Sequence, residues 1–584
     1  NEVRLMTYAH DYNGDAFVRN SDSYVKNNNV KSNHLNLNVY STYDFQVRSH
    51  NFKFMAGFQY EDYTTSNSGI KNVGVINSDL AVIDLTTGYT YDGKPVAPSF
   101  WGNNASWATA GYFARVNYDY DERYLFEANI RYDGSSRFRA ENRWAWFPSV
   151  SAGWNIAKEP FWESASRYVN TLKFRMSYGS LGNQNIGNWY PTYQKMGVYI
   201  NNGAWLQDGK ATNTAYSPEL ISSSLTWETI RSYNLGLDLG AFNNRLTSSF
   251  ELYSRYTTNM IGPAQELPSV LGASVPRTNN TDLRTYGFDF EVQWKDNLDC
   301  GLFYGIRFIL SDNQTEILRY PNDSKLLMTN GIYSYYPGSH VGDFWGLKTL
   351  GIAKTDQEMK AHLATIPHGG QSWLGTDWRA GDIMYADLDG NGVISMESGT
   401  LADHGDLIKL GNDQPRFQFG LDLNASWKGF DMRVFFQGVG KRDFWPGYVA
   451  FWASSNQNIW YMLGFEEHLD YFRNTPSGDL DVNLDSYYPR PLLNAKNQYM
   501  QTKYLQDASY IRLKNFTFGY TIPQKYTQRI KVANLRLFFT GENLWTGTRL
   551  SSVFDPEGIN GNDRISGIGY PIMKTWACGL TITL

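Results

Sequence analysis

The chain has 584 residues, of which 16% are aromatic, with 41 Tyr and 19 Trp, and 19% are charged. A net charge of -5 gives no support for nucleic-acid binding. A mean hydropathy of -0.46, with no apolar run near the ~18 residues a spanning helix needs, excludes a helical membrane protein. Two cysteines, Cys300 and Cys578, make no disulfide framework. The chain opens NEVRLMTYAH, with Asn rather than Met at position 1 and no signal pattern, so it reads as processed or as a fragment of a longer polypeptide.

In chain order, residues 1–33 read as the tail of a strand followed by a polar, Asn-rich loop. A hairpin is predicted over His34–Arg48 and Phe52–Tyr63, and a long loop over 64–106. From Tyr112 the chain alternates with period two: Tyr112, Ala114, Val116, Tyr118 and Tyr120 against Arg115, Asn117 and Asp119. After a tight turn Tyr124, Phe126, Ala128, Ile130 and Tyr132 oppose Glu127, Asn129, Arg131 and Asp133, and Trp144–Ile156 forms the next strand. Residues 157–170 read as a short helical turn or a surface connection, Thr171–Gly179 as a strand, and 180–224 as an aromatic loop with room for a strand near 190–200. A hairpin runs from Thr226 to Thr258, turning at Asn243-Asn244. The strand 286–295 follows, turning at Asp296-Asn297 into a partner through Leu310.

Residues 312–412 are irregular apart from a helix at 355–365, where Thr355 and Glu358 predict a capping box. Strands follow at 416–427 and 430–438, joined at Lys428-Gly429, then a loop at 440–500 rich in Trp and Tyr. Strands near 504–521, 533–545 and 571–584 close the chain. Strands with one apolar and one charged face, joined alternately by short turns and long loops, predict an all-β, antiparallel transmembrane β-barrel with about 17 strands in this chain. Trp294 and Trp427 at strand ends suit an interfacial girdle.

The segment GYFARVNYDYDERYLFEANIRYDGSSRFRAENRWAWFPSVSAGW resembles the signature barrel segment of SusC-like TonB-dependent outer-membrane transporters of the Bacteroidetes. LKFRMSYGSLGNQNIGNWYPTY, GDIMYADLDGNGVIS, YLQDASYIRLKNFTFGYTIP, LRLFFTGENLWT and FDPEG are similar to further stations of that family, in the same order, and the resemblance spans essentially residues 1–584. It implies a plugged barrel of about 22 strands that imports an oligomeric nutrient. A glycan is the first expectation and a peptide the second. A SusD-like surface lipoprotein would act as a lid, and the TonB complex would supply energy. The family's N-terminal extension, TonB box, plug and first strands have no counterpart in these residues. The competing readings are a passive porin-like or adhesive barrel and a barrel enzyme. No HExxH spacing, nucleophile elbow or Cys–His pair supports an enzyme.

Aromatic side chains assigned to loops are the candidates for substrate or lid contact: Trp101, Trp189, Trp205, Trp345, Trp373, Trp378, Trp445, Trp452, Trp460 and Tyr461. Rings stack on sugars, but Tyr and Trp also pack loops together or build a lid interface. Asp387, Asp389 and Asn391 in DLDGNGVIS carry the spacing of a calcium loop, with oxygen ligands at positions 1, 3 and 5. Position 12 falls on Ser398, with the acid Glu397 one residue early, so the competing reading is an Asp/Asn/Gly turn without an ion. The row Arg115, Asp119, Glu127, Arg131 and Asp133 would face the lumen, as plug contact or as a ladder holding register.

Overall fold

The computed structural model describes all residues except 1, 6, 11–15, 21–22, 200–201, 216–217, 219, 265–274, 330–331, 448, 454–463, 560–568 and 584. Sixteen strands form one antiparallel sheet in sequence order. They are β1 (Glu2–Arg4), β2 (Tyr24–Val47), β3 (His50–Val73), β4 (Ser99–Tyr120), β5 (Tyr124–Ser135), β6 (Trp144–Asn155), β7 (Val169–Asn183) and β8 (Glu228–Ala241). The second half comprises β9 (Leu246–Ile261), β10 (Asn279–Asn297), β11 (Phe303–Arg319), β12 (Arg416–Trp427), β13 (Phe430–Lys441), β14 (Tyr510–Thr521), β15 (Asn534–Thr548) and β16 (Thr575–Thr583). The remaining strands are short two-stranded ribbons inside loops.

Short connections gather at one end of the sheet: 48–49, 121–123, 242–245, 298–302 and 428–429. Asn243 and Asn244 both take left-handed φ, the conformation a tight reversal needs. The turn after β10 comes at 298–302, later than the predicted Asp296-Asn297, because both of those residues still pair with β11. Long loops gather at the other end, the arrangement of an outer-membrane barrel with its long loops outside the cell.

Residues 64–73 and 99–106, predicted as loop, continue β3 and β4, and 24–33 belong to β2. β2 and β3 are 24 residues each, twice the 12 of β5. An apolar band about 25 Å tall needs only part of such a length. Past Leu35 the band ends, and Asn27, Lys31, Ser66 and Asn104 turn the outer face polar. Alternation of hydrophobicity therefore fades while the hydrogen-bonded ladder continues, and period two could not find this part.

The two faces separate as the alternation requires. Tyr112, Ile130, Val150, Met176, Leu235, Leu252 and Leu537 lie exposed on the outer face. On the inner face Arg115 donates to Asn129 at 2.6 Å, Asn117 to Glu127 at 2.5 Å and Asn51 to Asp119 at 2.9 Å. Arg131 pairs with Asp133 at 2.9 Å, and Arg307 with Glu291 at 2.8 Å. The inner row is a ladder of polar cross-strand bonds that holds register. Glycines let ion pairs bridge a strand: Arg536 on β15 reaches Asp431 on β13 at 2.5 Å, passing over Gly519 of β14. A Cβ at Gly519 would lie 2.5 Å from the guanidinium and 2.6 Å from the carboxylate, so any larger residue there would push the pair aside.

Candidate functional site

Three long loops fold against one another into a single module. Residues 320–415, 442–509 and 549–559 share a core that includes Leu327, Phe344, Ile383, Tyr385, Phe444, Phe451, Tyr504, Phe554 and Ile559. Ribbons stiffen it: Asp343–Leu347 pairs with Leu407–Asn412, and Thr349–Ile352 with Ile383–Tyr385. The helix Asp356–Ala364 has Thr355 as N-cap, accepting the Glu358 N–H at 3.1 Å. Glu358 accepts the Lys354 N–H at 2.6 Å, one residue before the cap, so the box is only half reciprocal.

Asp382, fully buried, organises the polar part of the module. It accepts from Arg490 at 2.8 Å, from Asn497 at 2.9 Å and from the Arg379 N–H at 2.9 Å, and pairs with Lys496 at 3.0 Å. Burial alone would raise its carboxyl, but the bonds from Arg490, Asn497, Arg379 and Lys496 together hold it below the ordinary carboxylate range. Burial pushes the Tyr385 hydroxyl well above its ordinary value; that hydroxyl donates to the Lys496 carbonyl at 3.1 Å.

The candidate aromatics divide by place. Trp445 and Trp452 are 3% and 7% exposed, and Trp452 donates to the Pro446 carbonyl at 2.8 Å. Both are packed into the core of the loop module. Trp345 and Trp378 are half-buried against the same core; Trp378 meets Tyr385 edge-on, with Lys496 Nζ 4.6 Å over its ring. Trp373 is exposed beside Tyr499. Trp101, predicted in a loop, stands on β4 and donates to Asn28 at 3.0 Å. Trp205 is 65% exposed. Trp460 and Tyr461 lie outside the described residues.

A second aromatic group stands on the lumen wall above the apolar band; Trp101 and Trp189 of it are among the candidates, while His34, Tyr63 and Trp107 are not. His34, Tyr63 and Trp107 occupy directly opposed positions on β2, β3 and β4, on the face of the polar ladder. Tyr63 and Trp107 stack at 5.9 Å, and Trp189 meets Tyr63 edge-on at 5.5 Å. Arg137 lies 5.0 Å over Trp107, and His34 contacts Glu61 at 2.7 Å. Trp101 shares this face three rungs higher. Extending the strand period back from Tyr112 would have placed Trp101 and Trp107 together, had the polar stretch not masked the period.

The predicted calcium loop folds into a tight acidic turn. Asp387 accepts the N–H groups of Gly390 and Gly392 at 2.7 and 2.9 Å, and Asp389 that of Asn391 at 3.0 Å. Ser398 hydrogen-bonds Asp403, and Glu397 accepts from Asn391 at 2.6 Å, so neither closes the site. The acid that approaches Asp387 and Asp389 is Asp406, which the motif does not contain. It is fully buried, and one carboxylate oxygen from each of Asp387, Asp389 and Asp406 lies within 4.8 Å of the others. Asn391 turns its side-chain oxygen to the Val393 N–H and stands outside this triad. Burial first, then Asp389 and Asp387, raise Asp406 above the ordinary carboxylate range. Three carboxyl groups so placed, with no basic group among the causes of that shift, fit a hard divalent cation.

Comparison with known proteins follows this geometry. At 27% identity over 575 residues the chain is similar to TonB-dependent receptor P3 of Formosa agariphila, covering 93% of this chain and 51% of the relative. It is similar, also at 27% identity, to TonB-dependent receptor SusC of Bacteroides thetaiotaomicron, over 81% of this chain and 43% of SusC. The chain thus spans about half the length of the curated relatives it matches. The fold matches the RagAB peptide transporter with a TM-score of 0.73 at 21% identity, over 96% of this chain and 56% of that chain. The family profile described as TonB dependent receptor-like, beta-barrel matches residues 2–544. The chain belongs to the TonB-dependent receptor-like β-barrel family, and its strands cross the outer membrane.

Proposed function

We propose that this chain is the wall and outer-loop part of a SusC-like transporter that actively imports an oligomeric nutrient. A glycan is the first reading and a peptide the second. The observation that carries this reading is the family match over residues 2–544. Within the wall, Trp101, Tyr63 and Trp107 share the lumen face, where aromatic rings would meet a passing sugar. A SusD-like lipoprotein would cover the long-loop end, and the TonB complex would act through a plug and an N-terminal region belonging to the rest of the transporter. Further wall strands of a barrel of about 22 would pair with the free side of β2 over residues 27–47 and with β16. RagAB, with the same fold, is a peptide transporter, which keeps the second reading in play.

The test is uptake of fluorescently labelled oligosaccharides and of a labelled peptide pool by cells carrying the full-length transporter. Saturable oligosaccharide accumulation that stops when a protonophore collapses the proton-motive force is the expected result. Accumulation indifferent to the protonophore would make the barrel a passive pore. Preferential accumulation of peptides would replace the glycan reading.

We propose also that Asp387, Asp389 and Asp406, rather than Asn391, hold a structural calcium ion that fixes the loop module. At a calcium concentration about 100 times Kd the ion would add about 2.7 kcal/mol. Chelation by EGTA at neutral pH is expected to lower the thermal midpoint of the loops, and D387N/D389N should abolish that shift. The metal-free module should regain stability as pH falls, because a carboxyl raised in the folded state is stabilising when protonated. Equal midpoints with and without EGTA at neutral pH would refute the ion.

A further inference from the structure

We propose that the outer face of the wall binds a phosphorylated lipid of the outer leaflet through Arg231 and Arg284. The register places Arg231 of β8 directly opposite Tyr256 of β9, and Tyr256 directly opposite Arg284 of β10. Opposed residues of an antiparallel ladder share a face. The rung below is Tyr233, Ser254 and Tyr286; the next is Leu235, Leu252 and Phe288; the next is Leu237, Phe250 and Phe290. This is the outer face, where Tyr233, Leu235, Leu237 and Leu252 lie exposed. An apolar ladder therefore rises to a tyrosine rung and ends in an Arg–Tyr–Arg rung on the long-loop side. That is the level of the outer-leaflet headgroups.

These two arginines differ from the ion-paired arginines of the inner face. Arg175, Arg307, Arg433 and Arg536 each hold a carboxylate within 2.8 Å. Among the described residues, Arg231 and Arg284 form no ion pair; Glu316 stands opposite Arg284 in register without contacting it at ion-pair distance. Arg231 is exposed. Arg284 donates Nε to Ser254 at 3.3 Å and rests its guanidinium against two rings, 4.9 Å from Tyr286 and 5.5 Å from Tyr256. Its outer N–H groups stay available. Charge at a lipid boundary is costly without a counter-ion. Two guanidinium groups separated by two strand spacings, roughly 10 Å, can converge on phosphate with forked hydrogen bonds. A groove of about 870 Å³ includes Arg284 in its lining, with Met176, Tyr178, Leu235, Leu252 and Phe288 beside the Asp312–Arg416 ion pair. The apolar part of this lining suits an acyl chain, which favours a lipid over a free anion.

The test uses the full-length transporter in nanodiscs of phosphatidylcholine, with or without diphosphoryl lipid A. It reads lipid A retained per barrel by native mass spectrometry, and the thermal midpoint. Wild-type protein is expected to retain lipid A and gain stability. R231Q/R284Q should retain about tenfold less or lower still, while keeping the heat-modifiable electrophoretic mobility of a folded barrel. R231Q alone, at an exposed position, should show an intermediate loss. Three results would each overturn the proposal: no retention by wild-type protein, equal retention by the double variant, or the whole stabilisation reproduced by inorganic phosphate.

Discussion

Replacing Asp382 with Ala is expected to unfold the loop module while leaving the barrel wall folded. Asp382 is fully buried and Lys496 is 4% exposed, so their charges are compensated inside the protein rather than by water. Deleting the carboxylate strands Lys496 and Arg490 together and leaves the Asn497 side-chain N–H without its acceptor. Breaking a buried pair by removing one partner costs about 3–5 kcal/mol, because the surviving charge stays desolvated. Asp382 joins 353–382 to 490–497, so the cost falls on the junction between two of the three loops. Limited proteolysis should cut between 320 and 509 in D382A and spare the wild type, while the wall keeps its heat-modifiable electrophoretic mobility. The same carboxyl sets a pH dependence. Its folded value lies below its unfolded one, so its stabilisation is complete above the ordinary carboxylate range and is lost as pH falls through the lower folded value. Wild-type loops should therefore loosen only in strong acid. Wild-type resistance to protease matched by D382A would show that the network carries no stability.

Alternation made the wall legible. Wherever one face meets lipid and the other water, as from Tyr112 to Tyr132, each residue announces its side, and the hairpins at Asn243-Asn244 and Lys428-Gly429 stand where they were placed. The reading lost the strands where that contrast vanished, over 24–33, 64–73 and 99–106. There β2, β3 and β4 stand clear of the membrane and both faces are wet. The loops were hidden for the opposite reason. Their core is assembled from residues as distant as Leu327, Phe444 and Ile559, with no period to mark them, so a buried Trp and an exposed one look alike. Asp406 escaped likewise: the chain leaves the DLDGNG turn and returns to it, and no local spacing encodes that return.

Burial divides the candidate tryptophans, and truncation should separate them. Trp452→Ala is expected to cost about 3–5 kcal/mol, the usual range for a large aromatic removed from a core. Its ring packs 4.8 Å from Tyr504 and 5.8 Å from Trp445, and its Nε1 satisfies the Pro446 carbonyl. Loss of the ring opens a cavity and leaves that carbonyl without its donor. Trp205, at 65% exposure, has no such packing to lose, and Trp205→Ala should shift stability by no more than about 0.5 kcal/mol. Uptake should respond in the opposite order of cause. W452A should fail because its loops no longer hold shape, with protease sensitivity and uptake lost together. W205A should keep wild-type protease resistance and, if its ring meets ligand or lid, raise the uptake KM. Measured side by side, the two variants distinguish a ring that builds the surface from one that serves on it. A W452A protein with wild-type protease resistance and impaired uptake would return Trp452 to the contact residues.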